Sequence, residues 1–155
     1  MIIYAFSDIH SPTYLEIFWE ALKGLKKPDL ILMAGDICEA GHFEEYRRVL
    51  EMIKWNVPIV ACFGNTEFEQ DHDKIKKICE GRVIFLEDES FTINIKGKQV
   101  GIVGSKGCLD QPTWWQLKHI PQIREIYRER FERVSKQLET LKSLGMDIVI
   151  LLMHY

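Results

Sequence analysis

The sequence has no Cys-x-x-Cys pair, no low-complexity tract, no internal repeat and no excess of basic charge. Each absence excludes a class of protein. The four cysteines, Cys38, Cys62, Cys79 and Cys108, are scattered, which argues against a zinc ribbon or a thioredoxin-type redox site. Three of them lie in or beside apolar stretches, as ordinary buried thiols do, and the set fits a reducing compartment. No apolar run approaches the ~18 residues of a membrane-spanning helix. The first residues, Met-Ile-Ile-Tyr-Ala-Phe, reach Ser7-Asp8 without a basic stretch. No signal peptide is therefore expected, and a cytoplasmic location is. The net charge of −3 leaves no broad cationic face for gripping a nucleic-acid backbone. It does not exclude a nucleic-acid substrate met through metal ions.

What is present suits one folded domain. The chain has 155 residues, 46% hydrophobic and 28% charged, which is not the composition of a disordered protein. Short apolar runs at Ile2–Phe6, Leu30–Ala34, Val57–Phe63 and Ile148–Met153 read as strands buried on both faces. Helical periods lie between them, at Leu15–Leu25, Tyr46–Ile53 and Ile75–Cys79. A long amphipathic helix is predicted from Ile123 to Leu144. Strand–helix alternation implies an α/β fold with a largely parallel sheet. In the middle, Val83–Leu86, Phe91–Ile95 and Gln99–Val103 read as an antiparallel meander, with a hairpin turn at Lys96-Gly97-Lys98. Residues 104–121 read as a loop containing Trp114-Trp115.

The chemistry lies in the residues just past the apolar runs. Asp8 and His10 come after the first, Gly35-Asp36 after the second, Gly64-Asn65-Thr66-Glu67 after the third and His154 after the last. In open α/β sheets, ligands bind beyond the carboxyl ends of the strands. Any one polar residue there is common turn or cap chemistry. The ordered set, all of metal-ligand type, points to a metal site. Two residues apart, Asp8 and His10 are expected to point the same way from extended backbone and clasp one ion. Asp36 has lone pairs enough to bridge two ions, Asn65 offers a neutral oxygen and His154 a second nitrogen. Mixed nitrogen and oxygen donors suit Mn, Fe, Zn or Co.

Asp8-Ile9-His10, Gly35-Asp36, Gly64-Asn65 with Glu67, and the strand-terminal His154 resemble the calcineurin-like metallophosphoesterase superfamily, in its small phosphodiesterase-like branch. The resemblance runs over nearly the whole chain. It implies a four-layer α/β/β/α sandwich with a dinuclear centre and two divalent metal ions, Mn favoured. It implies Asp8, His10 and Asp36 on the first ion and Asp36, Asn65 and His154 on the second. It implies hydrolysis of a phosphodiester or phosphomonoester by metal-bound hydroxide, with nucleotides and other phosphate esters both open as substrates. Asn65, Thr66 and Glu67 become the candidate catalytic residues, with Glu67 expected to hydrogen-bond a neighbour rather than bind metal.

Two departures qualify the pattern. The family usually has His after Gly-Asn, where this chain has Thr66, a weak acid near neutral pH. The family's Gly-His-x-His motif, which lies downstream of the His154-type position, is absent. One domain over residues 1–155, C-terminally truncated after its fourth metal-binding strand, is the expectation. The rival is a non-catalytic metal- or phosphate-binding regulatory module of the same fold. An uncovered terminal strand would also allow a homo-oligomer. His42, His72 and His119 are expected to be solvated. Trp114-Trp115 is expected to plug the space under its loop or to make an oligomer contact, ahead of stacking a base. The charged run Arg124–Arg133 is expected to form a solvated helix face with i,i+4 pairs.

Overall fold

The apolar runs become strands because two sheets and flanking helices cover them from both sides. In the computed structural model, which describes residues 1–155, β1 (Ile3–Phe6), β2 (Leu30–Ala34), β3 (Ile59–Cys62) and β4 (Ile84–Phe85) form a parallel sheet in that order. A second sheet has the order β5 (Glu89–Ile95), β6 (Lys98–Ser105), β7 (Ile148–Met153). Its β5–β6 pair is antiparallel and its β6–β7 pair parallel.

Alternate residues of β2 and β3 divide between two cores. Ile31, Met33, Ile59 and Ala61 pack under α1 (Leu15–Leu22), α2 (Glu45–Met52) and α3 (His72–Ile78). Leu30, Leu32, Val60 and Cys62 meet Val100, Ile102 and Leu152 of the second sheet. The outer face of that sheet is covered by α5 (Ile123–Ser143), through Val103, Val134 and Leu141. The layers are thus α/β/β/α, the sandwich implied by the resemblance. Gly101 and Gly104 of β6 set the close approaches. A Cβ at Gly101 would lie 2.9 Å from Leu141, and one at Gly104 would overlap Leu86.

The middle of the chain differs from the expected meander. Val83–Leu86 contributes β4, which pairs parallel to β3 and completes one more strand–helix–strand crossover. Only β5 and β6 form the hairpin, with Lys96 and Gly97 at φ 53° and 82°, the signs a tight two-residue turn requires. Residues 104–121 are not all loop. Thr113 and Gln116 form a reciprocal capping box that starts α4 (Trp114–His119). Trp114 and Trp115 are exposed, so neither is a plug. His72 is buried, stacked on Phe63 at 3.6 Å and bonded to Glu87, rather than solvated. On α5 the charged run is partly tertiary: Arg130 and Arg133 both reach Asp88, at 3.1 and 2.8 Å. Its Phe131 is exposed despite its place in the apolar period. No helix is long and apolar enough to cross a membrane.

Candidate metal centre

Beyond the strand ends, the loops continue the ladder of the first sheet. The amides of Asp8, His10 and Ser11 donate to the carbonyls of Gly35, Asp36 and Ile37, at 3.0–3.1 Å. These bonds hold the loop after β1 against the loop after β2. Within them Asp8, His10 and Asp36 all adopt left-handed backbone, with φ of 54°, 44° and 52°. Such conformations cost roughly 1–3 kcal/mol each in ordinary residues and cluster at functional sites. This corrects the extended-strand expectation: Asp8 and His10 converge through two left-handed residues beyond β1, not through strand alternation.

The loop after β3 is seated by close backbone contact. Gly35 has φ 77°, and a Cβ on it would lie 2.5 Å from the Gly64 nitrogen. A Cβ on Gly64 would overlap the Asp36 carboxylate. The two glycines therefore let Asp36 and Asn65 stand side by side.

Side chains of all five residues expected as ligands come together. His10 Nε2 is 3.7 Å from an Asp8 oxygen and 3.7 Å from Asp36 Oδ2. The ligand atoms of Asp8, His10 and Asp36 lie within 4.8 Å of one another. On the other side, His154 Nε2 is 3.6 Å from Asp36 Oδ1 and 3.2 Å from Asn65 Oδ1. Asp36 thus turns one oxygen toward each group. The closest pairs fit a shared ion, because two donors each ~2.1 Å from an ion can be up to ~4.2 Å apart.

Support for these donors comes from hydrogen bonds. His154 Nδ1 lies 2.8 Å from the Ala34 carbonyl. A carbonyl only accepts, so Nδ1 carries a hydrogen and Nε2 is the ring nitrogen turned to the site. The Thr66 amide donates to Asp36 Oδ1 at 2.9 Å. Glu67 is buried behind the donors. Its carboxylate accepts from the amides of Asp36 (2.9 Å), Ile37 (2.7 Å) and Gly64 (2.7 Å), and from the Tyr46 hydroxyl (3.0 Å). Burial and the Glu67 charge push the Tyr46 hydroxyl well above its usual range, so it stays a donor.

Thr66 and Glu67, expected as catalytic residues, therefore hold the site's framework. The Thr66 hydroxyl donates to the Cys38 carbonyl at 2.7 Å, and Glu67 has no oxygen free of partners. Burial pushes the thiols of Cys38, Cys62 and Cys79 up to about 12.

One residue beside the site carries no sequence signal. Lys106, just past β6, makes no ion pair within 4 Å. Burial lowers its ammonium from the usual lysine range, with the Glu69 charge opposing. The charges of Glu67 and Asp36 also act on it. A lone Lys in Gly104-Ser-Lys-Gly107 belongs to no periodic pattern or motif, so only the fold reveals its position.

A sandwich of one parallel and one mixed sheet, with convergent carboxylate, imidazole and amide groups at its strand ends, defines an α/β protein with a candidate metal site. The chain belongs to the calcineurin-like phosphoesterase family, whose family model matches residues 1–155. No curated protein matches it by sequence. Two solved structures are similar. A protein of unknown function from Aquifex aeolicus shares 18% identity, with 96% of this chain and 76% of that one covered and a TM-score of 0.48. An archaeal phosphodiesterase shares 20% identity, with 97% and 72% covered and a TM-score of 0.44.

Proposed function

We propose that this chain hydrolyses phosphate esters, mono- or diesters, with two divalent ions held by the strand-end donors. Mn²⁺ is the favoured ion among Mn, Fe, Zn and Co. The observation that carries the reading is Asp36, whose two oxygens face two separate donor groups. Asp8 and His10 would complete one ion's set in this chain, and Asn65 and His154 the other's. When bound, such ions polarise a phosphoryl group and acidify water.

The chain's own residues orient that chemistry. Glu67 fixes the amides on either side of the Asp36 carboxylate. The Ala34 carbonyl fixes the His154 ring. Gly35 and Gly64 allow the close approach. The four thiols are free, which suits a reducing, cytoplasmic setting.

Hydrolysis of bis-p-nitrophenyl phosphate and p-nitrophenyl phosphate with added Mn²⁺ tests the reading. Turnover should require the metal and should fall at least ~10²-fold in Asp36→Ala, beyond the 10–100-fold typical of outer-shell changes. Unchanged activity in that variant would sink it. A second reading, metal or phosphate binding without turnover, is favoured by one observation: the Thr66 hydroxyl is engaged with Cys38 and offers no acid to a leaving group. Saturating metal binding with no hydrolysis would select it.

A further inference from the structure

A large cavity opens beside the candidate centre. It has a volume of about 1150 Å³, somewhat above the usual range of ligand pockets, and Asn65 forms part of its wall. Tyr155, next to His154, lines it too. From there it runs beneath α4 and along the first turns of α5. Its lining is mostly apolar and aromatic, with Phe68, Trp115, Ile123, Ile126 and Tyr127 among the walls. Trp115 and Phe68 are exposed there, at 58% and 46%, although aromatic surface of that size is ordinarily buried.

The charges at the cavity are unevenly committed. The Arg130 guanidinium is spent on Asp88 and on the Gly107 carbonyl, at 3.1 and 2.9 Å. Lys106 also lines the cavity and is unpaired. Glu69 stands nearby as the opposing carboxylate. One free ammonium, the Asn65 side of the candidate centre and a set of aromatic walls thus share a single space. An anion at the Asn65 end with a flat apolar body behind it matches that layout. Aromatic walls favour a ring over an alkyl chain, since rings stack.

We infer that this cavity holds the organic group of the phosphate ester, that this group is a flat aromatic ring system, and that Lys106 meets the phosphate. The inference rests on the phosphoesterase reading for the direction of the substrate. The aromatic group lies against Trp115, Ile126 and Tyr127, away from the metal donors. Lys106 is a specificity residue that selects the anionic end.

Binding of non-hydrolysable phosphonates to the whole chain tests this without requiring turnover. The probes are 1-naphthylmethylphosphonate, hexylphosphonate and methylphosphonate, measured by calorimetry with Mn²⁺ present. The naphthyl probe should bind about tenfold or more tighter than the methyl probe, the scale of one aromatic stack. It should also bind tighter than the hexyl probe. Ile126→Asp and Trp115→Ala should each reduce the naphthyl advantage and leave methylphosphonate binding within about twofold. Trp115 is on an exposed helix, so its variant does not endanger the fold. Lys106→Ala should weaken all three probes.

Equal affinities for the naphthyl and methyl probes would overturn the inference. So would tighter hexyl than naphthyl binding, an advantage untouched by both wall variants, or no binding of any probe. If hydrolysis proves absent while the naphthyl preference holds, the phosphoesterase reading fails and the cavity stands as a binding site. If hydrolysis holds without the preference, the cavity inference alone fails.

Discussion

At the residue scale, Glu67 explains how a cluster of acids and histidines keeps its shape. Its two oxygens satisfy three backbone amides and a tyrosine hydroxyl at 2.7–3.0 Å, all buried. Glu67→Gln replaces one acceptor with an amide group that faces donors. Stability should fall by at least ~1–3 kcal/mol, the cost of leaving buried donors unsatisfied. Metal affinity should fall about 10–100-fold, as for other supporting residues. Thermal melting and metal titration of the same variant check the two effects together. A variant with wild-type melting and wild-type affinity would show that the network is dispensable. The sequence exposes Glu67 as the acidic residue after Gly64-Asn65, but not what it does. Apart from Gly64, its partners come from the loop after β2 and from α2, far away in the chain, and backbone amides leave no trace in residue identity.

At the element scale, the loops after β1, β2 and β3 matter more than the strands. Gly64→Ala puts a methyl where the Asp36 carboxylate lies, and the Asp36 backbone nitrogen is only 2.5 Å from that Cβ. The two loops must separate, so metal binding should be lost even where the fold survives. Melting should drop by several degrees, as ~2–4 °C per kcal/mol applies to a chain of this size. Circular dichroism and metal titration read both; unchanged metal binding would contradict the packing argument.

A second element-scale prediction concerns the connection after β4. The hydrogen bond from His72, aided by Lys76, holds the Glu87 carboxyl down at about 2 against its usual 4.5. A depressed carboxyl stabilises the fold above its unfolded value. That contribution is lost as pH falls from about 4.5 through about 2. Acid-denaturation curves of Glu87→Gln should be flatter than wild type in that window and parallel to it above. Identical slopes would exclude the link between α3 and β4. Strand and helix types were legible along the chain because their apolar periods are local. The pairing of β4 with β3 was not, since a two-residue strand takes its place from α3. The capping box at Thr113 and Gln116 was written in the sequence, yet the neighbouring Gly, Pro and Trp pair obscured it.

At the scale of the whole molecule, two sheets bring residues from opposite ends of the chain to one edge. His154 and Asp8 lie far apart in sequence, yet both sit on Asp36, directly or through His10. The five candidate ligands that the fold brings together were legible as a group because each comes just after an apolar run, where an α/β sheet delivers its ligands. Their left-handed convergence was not, because φ is set by the ladder between loops. Lys106 was not either, because its importance arises only where β6 and β7 end together. The most direct test of the account counts ions. Calorimetric titration of the metal-free chain with Mn²⁺, paired with electron paramagnetic resonance, reports stoichiometry and magnetic coupling. The account predicts two ions per chain with the coupling of a shared bridging carboxylate, and neither in Asp36→Ala. No bound Mn²⁺, or the same binding after loss of Asp36, would contradict it.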